Sequence, residues 1–191
     1  MKIAVDVDGV LLDLMVTYCE IYNEQFETDY TKKDVIRWDF FEEWDINENQ
    51  AFEIFHEIYE NSFEIPLIDE YALFVLEQIN KSHHVDIVSA RSEQFTSQLG
   101  GTLKSHGINQ GIHYRHLILV HEKPYDIKLR LNYDLYIDDN PHLANAIRER
   151  NDEVLLLYDQ PWNRVIDESE NIIRVFNWKE IHHDIRNLEN L

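Results

Sequence analysis

The period of the apolar positions changes repeatedly along the chain, and the changes predict alternating strands and helices. Residues 2–7 open with a near-continuous apolar run, Ile3, Ala4, Val5 and Val7, the pattern of a parallel strand covered on both faces. Leu12, Val16, Cys19, Tyr22 and Phe26 then recur at helical spacing. Asn47 with Gln50 forms a capping-box pattern ahead of Ala51, Phe55 and Ile58. Pro66 breaks the pattern, and Ala72, Val75, Leu76 and Ile79 predict a helix over about 69–80. Further strands are predicted over 85–89, 116–120, 135–137, 154–158 and 172–176. Between them, a helix carrying Phe95, Leu99 and Leu103 stops near Gly107, a C′ position, although Gly100-Gly101 weakens its middle. Pro124 and Pro141 suit first helical positions, and 178–191 reads as a terminal amphipathic helix.

Strand–helix alternation implies right-handed crossovers, hence an α/β fold: a Rossmann-like, doubly wound parallel sheet with helices on both faces. Residues 15–65 contain no convincing strand. They are expected to form a small helical cap inserted after the first strand, leaving 1–14 and 66–191 as the core domain.

Composition narrows the partners. The chain has 191 residues, 44% of them hydrophobic, with few Gly and Pro, so it is globular. A formal net charge of −20 argues against nucleic-acid polymers and anionic membranes, which both demand a basic footprint. An anionic substrate would meet a repulsive field that local cations must overcome. The single cysteine, Cys19, lies on the apolar stripe of the first predicted helix; it fits a reducing cytoplasm and a core thiol. No stretch matches a membrane span, and Asp6, Asp8 and Asp13 interrupt the only apolar run of the N-terminus, unlike a signal peptide.

The polar residues at the predicted strand ends carry the chemistry. Ligands of a doubly wound sheet bind beyond the carboxyl ends of the strands. Strand one delivers Asp6 and Asp8, followed by Gly9, whose freedom lets the backbone turn and approach a ligand. Two acids there raise each other's pKa and lose hydration unless a divalent cation keeps both ionised. Strand two delivers Ser89, followed by Ala90 and Arg91, whose fork suits a phosphate or substrate clamp and equally a surface ion pair in so acidic a chain. The loop after strand three carries Lys123, with Lys128 five residues on as the alternative. Strand four delivers Asp138 and Asp139, then Asn140-Pro141. Together these suit phosphoryl transfer.

The four segments Asp6-Val-Asp-Gly-Val, Val88-Ser-Ala-Arg91, Lys123 and Ile137-Asp-Asp-Asn-Pro141 resemble the four motifs of the haloacid-dehalogenase-like phosphohydrolases. The extended first motif through Asp13, the helical insertion behind it and the tail Asp159-Gln-Pro-Trp-Asn163 resemble the 5′(3′)-deoxyribonucleotidase-type branch more narrowly. The resemblance implies that Asp6 is the nucleophile, forming an aspartyl-phosphate, and that Asp8 is the general acid and base. It implies Mg²⁺ held by Asp6, the Asp8 carbonyl and Asp138, with Asp139 outside this set orienting a water or the lysine. Ser89 and Lys123 would hold the transferred group, with Gly9, Ala90 and Arg91 beside them. The implied substrate is a small phosphomonoester, a nucleoside monophosphate before a sugar phosphate. Whether the protein is a monomer or a homodimer stays open.

The insertion is rich in rings. One or two of Phe26, Trp38, Phe40, Phe41 and Trp44 are expected to face a base, Trp38 and Phe40 first, while the others pack the cap. Trp162 either borders the site or packs in a surface loop, and Asp13 is structural. The ten histidines give no zinc framework: His83-His84 and His182-His183 are adjacent pairs, and His113 and His116 sit at a strand entry with no ligand-spaced carboxylate. A receiver-like phospho-switch is disfavoured because the adjacent acidic pair comes fourth and the Asp-x-Asp first. A silent scaffold is disfavoured because every required acid is present.

Overall fold

Six parallel strands form one sheet in the order β3-β2-β1-β4-β5-β6: β1 Lys2–Val5, β2 His84–Ser89, β3 Leu117–Leu119, β4 Leu135–Asp138, β5 Val154–Tyr158 and β6 Ile172–Val175. The computed structural model describes residues 1–61, 64–121, 123–150 and 152–189. Helices α1 Leu14–Phe26, α2 Glu48–Glu60, α3 Tyr71–Ser82, α4 Thr96–Ser105, α5 Pro141–Arg148 and α6 Trp178–Leu188 complete the α/β architecture. The expected terminal helix reaches Leu188, and its last two residues lie outside the described ones.

The four central strands are buried, as continuous apolar runs demand when both sheet faces are covered, and the edge strands β3 and β6 are partly exposed. Alternation splits the core in two: Ile3, Val5, Ile87 and Ile137 pack on one face, and Ala4, Val88, Tyr136 and Leu155 on the other. Trp178, fully buried, donates its indole N–H to the Val10 carbonyl at 3.1 Å and ties α6 to the loop after β1.

β1 ends at Val5, two residues earlier than its apolar run, because the chain must turn. The Val7 carbonyl accepts from the N–H groups of Leu11 (2.8 Å) and Leu12 (2.9 Å), a tight loop that Gly9 completes at φ +83°. A Cβ at Gly9 would overlap the Asp139 carboxylate, so the position admits only glycine on steric grounds as well.

Between β1 and β2 the described part of 15–65 is helical or irregular, with α1 and α2 flanking two 3₁₀ turns, Lys32–Asp34 and Phe40–Glu42; residues 62 and 63 of that span lie outside the described ones. The Asn47–Gln50 capping box forms, with Gln50 N–H donating to Asn47 Oδ1 at 3.0 Å. Rings hold the insertion together: Tyr18 of α1 meets Phe55 of α2 at 4.6 Å and Phe40 edge-on at 5.1 Å, and Tyr30 stacks on Trp44 at 4.2 Å. Cys19 is buried as expected, and burial pushes its thiol up to about 12.

Two local expectations differ. Gly100 and Gly101 do not interrupt α4, which runs on and stops with Gly107 at φ +83°. Pro124 opens no α-helix; the Lys123–Pro124 peptide is cis and the next helical segment is a 3₁₀ turn, Ile127–Leu131.

Candidate active site

Strand order decides which side chains meet. β1 lies between β2 and β4, with Val5 in register with both Ile87 and Ile137, so the residues following β1, β2 and β4 emerge at one rim. The Asp6 N–H donates to the Ile137 carbonyl at 2.9 Å and sets Asp6 beside Asp138. One carboxylate oxygen from each of Asp6, Asp138 and Asp139 lies within 4.8 Å of the others, and all three residues are buried. Asp138 Oδ1 accepts from the Asn140 N–H at 3.0 Å, while the Asn140 side chain caps α5.

The lysine in this cluster is Lys128, which corrects the expectation of Lys123. Lys128 Nζ lies 2.6 Å from Asp138 Oδ2 and 2.9 Å from Asp6 Oδ1, with its side chain only 3% exposed. Lys123 is 55% exposed and donates to Glu48 Oε1 on α2 at 2.7 Å. The cause is topological. β3 is the sheet edge, two strands from β1, so the residues directly after it emerge roughly 10 Å from Asp6. The chain must cross back before β4, and the 3₁₀ turn carrying Lys128 makes that crossing. Asn140 Nδ2 holds the loop in place through the Tyr125 carbonyl at 3.1 Å.

Asp8 stands apart from the carboxylate cluster. Its side chain is taken by Arg91, whose Nε and Nη2 donate to Oδ2 and Oδ1 at 2.8 and 2.6 Å. Arg91 is buried, its guanidinium 4.4 Å from the Tyr59 ring centre. The expected phosphate fork is therefore turned onto the second aspartate. Burial opposes the Arg91 charge, but Asp8 more than compensates and holds it above its ordinary range. Ser89 is buried at the end of β2, its Oγ accepting from the Arg91 N–H at 3.2 Å.

Asp139 belongs with the cluster rather than outside it. Its Oδ2 accepts from the Trp162 indole N–H at 3.1 Å and abuts Gly9. The turn after β5 clamps both loops: Gln160 Nε2 donates to the Gly9 carbonyl at 2.6 Å, and Asn163 Nδ2 to the Asp139 carbonyl at 2.8 Å. Trp162 thus borders the site, and Gln160 and Asn163, known from sequence only as part of the tail Asp159-Gln-Pro-Trp-Asn163, are positioning residues. Asp13 makes no side-chain cap and pairs with Lys32 at 2.7 Å.

Three buried carboxylates face one ammonium, Lys128. Burial pushes Asp6 up to about 7, with Lys128 opposing and Asp138 adding to the rise. Asp139 is raised well above the carboxylate range, by burial first and then by Asp6. Burial disfavours the Lys128 charge, yet Asp138 and Asp6 hold it above the usual lysine range. An all-oxygen donor set with excess negative charge fits a hard divalent cation.

A cavity of about 150 Å³ connects this cluster to the insertion. Asp6, Asp8, Gly9, Ala90, Arg91 and Lys128 form its floor, and Trp38, Phe40 and Phe41 part of its wall. Phe52 and Phe55 of α2 also line it, as does Tyr125, none of them singled out by sequence. Phe26 is 39% exposed against Tyr22, and Trp44 packs inside the insertion.

Comparison with known proteins places the chain in a family and a fold. The family model described as "5′ nucleotidase, deoxy (Pyrimidine), cytosolic type C protein" matches residues 1–189. A nucleotidase of Clostridium acetobutylicum is 27% identical over 189 residues, covering 95% of this chain and 92% of the relative. The 5′(3′)-deoxyribonucleotidase of Bacillus subtilis is 25% identical over 194 residues, covering 96% and 97%. In fold, the chain is similar to a haloacid dehalogenase-like hydrolase from Streptococcus pneumoniae, with TM-score 0.66 at 13% identity over 96% of this chain and 97% of that one.

Proposed function

The chain belongs to the cytosolic type C 5′-nucleotidase family, as a phosphoric monoester hydrolase of the haloacid-dehalogenase-like superfamily, and we propose that it dephosphorylates nucleoside monophosphates through an aspartyl-phosphate on Asp6. The observation that carries this reading is the single cleft running from the buried acidic cluster to an aromatic wall. A phosphate at the floor leaves an apolar slot for a base, where stacking is worth ~1–3 kcal/mol.

Asp6, Asp138 and Asp139 would hold Mg²⁺, with the Asp8 main-chain carbonyl beside them. The ion, when bound, supplies Lewis-acid withdrawal of charge from the phosphoryl oxygens. The Asp6 carboxylate attacks phosphorus in line, the ester P–O bond breaks, and the leaving oxygen takes a proton from Asp8. Asp8, now a carboxylate, removes a proton from water; the water oxygen attacks phosphorus and frees inorganic phosphate and Asp6. Arg91 fixes the direction of the Asp8 carboxylate through its paired N–H groups. Lys128 Nζ and Ser89 Oγ hold the phosphoryl oxygens as charge spreads over them.

The test is phosphate release from a panel of ribo- and deoxyribonucleoside monophosphates and sugar phosphates, with Mg²⁺ and with chelator. Nucleotides are expected to lead sugar phosphates by at least about tenfold in kcat/KM, the scale of one stacked ring, and chelator to abolish release. Turnover of sugar phosphates with none of nucleotides would overturn the substrate assignment.

The raised Asp6 pKa adds a pH dependence with a defined sign. The group binds its proton more tightly folded than unfolded, so its contribution to stability is complete below its ordinary value of 3.8 and is lost as pH rises towards about 7. Mg²⁺ requires the carboxylate. The rise in Tm on adding Mg²⁺ is therefore expected to be larger at pH 8 than at pH 5; equal rises at both would contradict it.

A further inference from the structure

A second cluster of ligating side chains lies at the opposite end of the sheet. His84 and Asp86 alternate onto the same face of β2, and His116 leads directly into β3, its carbonyl accepting from the Ile87 N–H at 2.9 Å. His84 Nε2 lies 3.1 Å from Asp86 Oδ2, and His116 Nδ1 lies 2.9 Å from Asp86 Oδ1. One ligand atom from each of the three residues falls within 4.8 Å of the other two. The pairing of β2 with β3 is what brings His116 to Asp86, a meeting the sequence does not show.

We propose that His84, Asp86 and His116 form a binding site for a borderline divalent transition ion of the zinc class. Two imidazoles and a carboxylate are the donors such ions select over Mg²⁺. Zn–N and Zn–O bonds of ~2.0–2.1 Å place tetrahedral ligands roughly 3.3 Å apart, close to the two N···O separations present. His116, 61% exposed at its side chain, has room to close the remaining gap, and the open side leaves a position for water.

The surroundings fit as well. Asp86 is 2% exposed in mid-strand, where an apolar residue is the rule, and the Tyr133 hydroxyl donates to its Oδ2 at 2.8 Å. Such an outer partner orients a ligating carboxylate. The neighbouring cations are engaged elsewhere: Arg115 with the His83 carbonyl at 2.9 Å, and Lys2 with the Leu131 carbonyl at 3.0 Å. His84 begins β2 and Ser89 ends it, so roughly 16 Å of strand separates this site from the catalytic rim.

The test is calorimetric titration of Zn²⁺ into metal-stripped protein under excess Mg²⁺, for the wild type and for a His84→Ala/His116→Ala variant. The wild type is expected to bind one more equivalent than the variant, and Tyr133→Phe to weaken that equivalent by about 10–100-fold. Imidazole ¹⁵N signals of His84 and His116 in the wild-type protein should shift at one equivalent of Zn²⁺, a readout that needs no variant. Equal stoichiometry in both proteins, or ring signals unmoved by Zn²⁺, would overturn the proposal.

Discussion

Replacing Asp6 with Asn is expected to reduce nucleotide turnover by at least about 10⁴-fold, the scale on which loss of a covalent nucleophile is felt. The substitution keeps shape and removes only the attacking charge. Lys128 retains Asp138 as a partner at 2.6 Å, so the fold should persist. Losing one of three buried carboxylates also relieves mutual repulsion, and the metal-free variant should melt no lower than the wild type near pH 7. Acid-quenched single turnovers provide the second measurement. Phosphate should be trapped on the peptide containing Asp6 in the wild type and absent from the variant. A folded Asp6→Asn protein that still turns over nucleotides would remove Asp6 from the nucleophile's role.

The sheet was legible because its strands are apolar runs too short for a helix, three of them ending against a residue of unusual chemistry. Val5 before Asp6, Val88 before Ser89 and Ile137 before Asp138 all mark where apolar side chains give way to polar ones at the rim. The meeting of Asp6 with Asp138 follows from any order that pairs β1 with β4. What sequence lacked was information carried between loops. Arg91 has the fork of a phosphate ligand, and nothing local shows that Asp8, 83 residues away, occupies it. Asp139 looked peripheral because its place beside Asp6 depends on Trp162 and Gly9. The aromatic wall divided unpredictably for the same reason. Trp44 and Phe55 share a helical insertion, but only Phe55 lies along the cleft, as the packing of α1 on α2 dictates.

Lys128 and Lys123 give the sharpest separation of motif spacing from geometry. Lys128→Met is expected to lower kcat by about 10²–10³-fold, as for removal of one donor from an anion-stabilising site. It should also destabilise the metal-free protein by about 3–5 kcal/mol, because Asp6 and Asp138 then lie buried without a counter-charge. Mg²⁺ can restore stability by neutralising that pair, but it cannot supply a donor at the Nζ position, so recovery of Tm without recovery of kcat is the signature. Lys123→Met removes an exposed partner of Glu48, and such surface pairs contribute little. Its kcat should stay within about twofold of wild type. Kinetics and melting curves of the two variants, each with and without Mg²⁺, make the comparison. If Lys123→Met proves the crippled variant and Lys128→Met the active one, the buried ammonium between Asp6 and Asp138 serves folding alone, and the phosphate must be met by the loop that reaches over from β3.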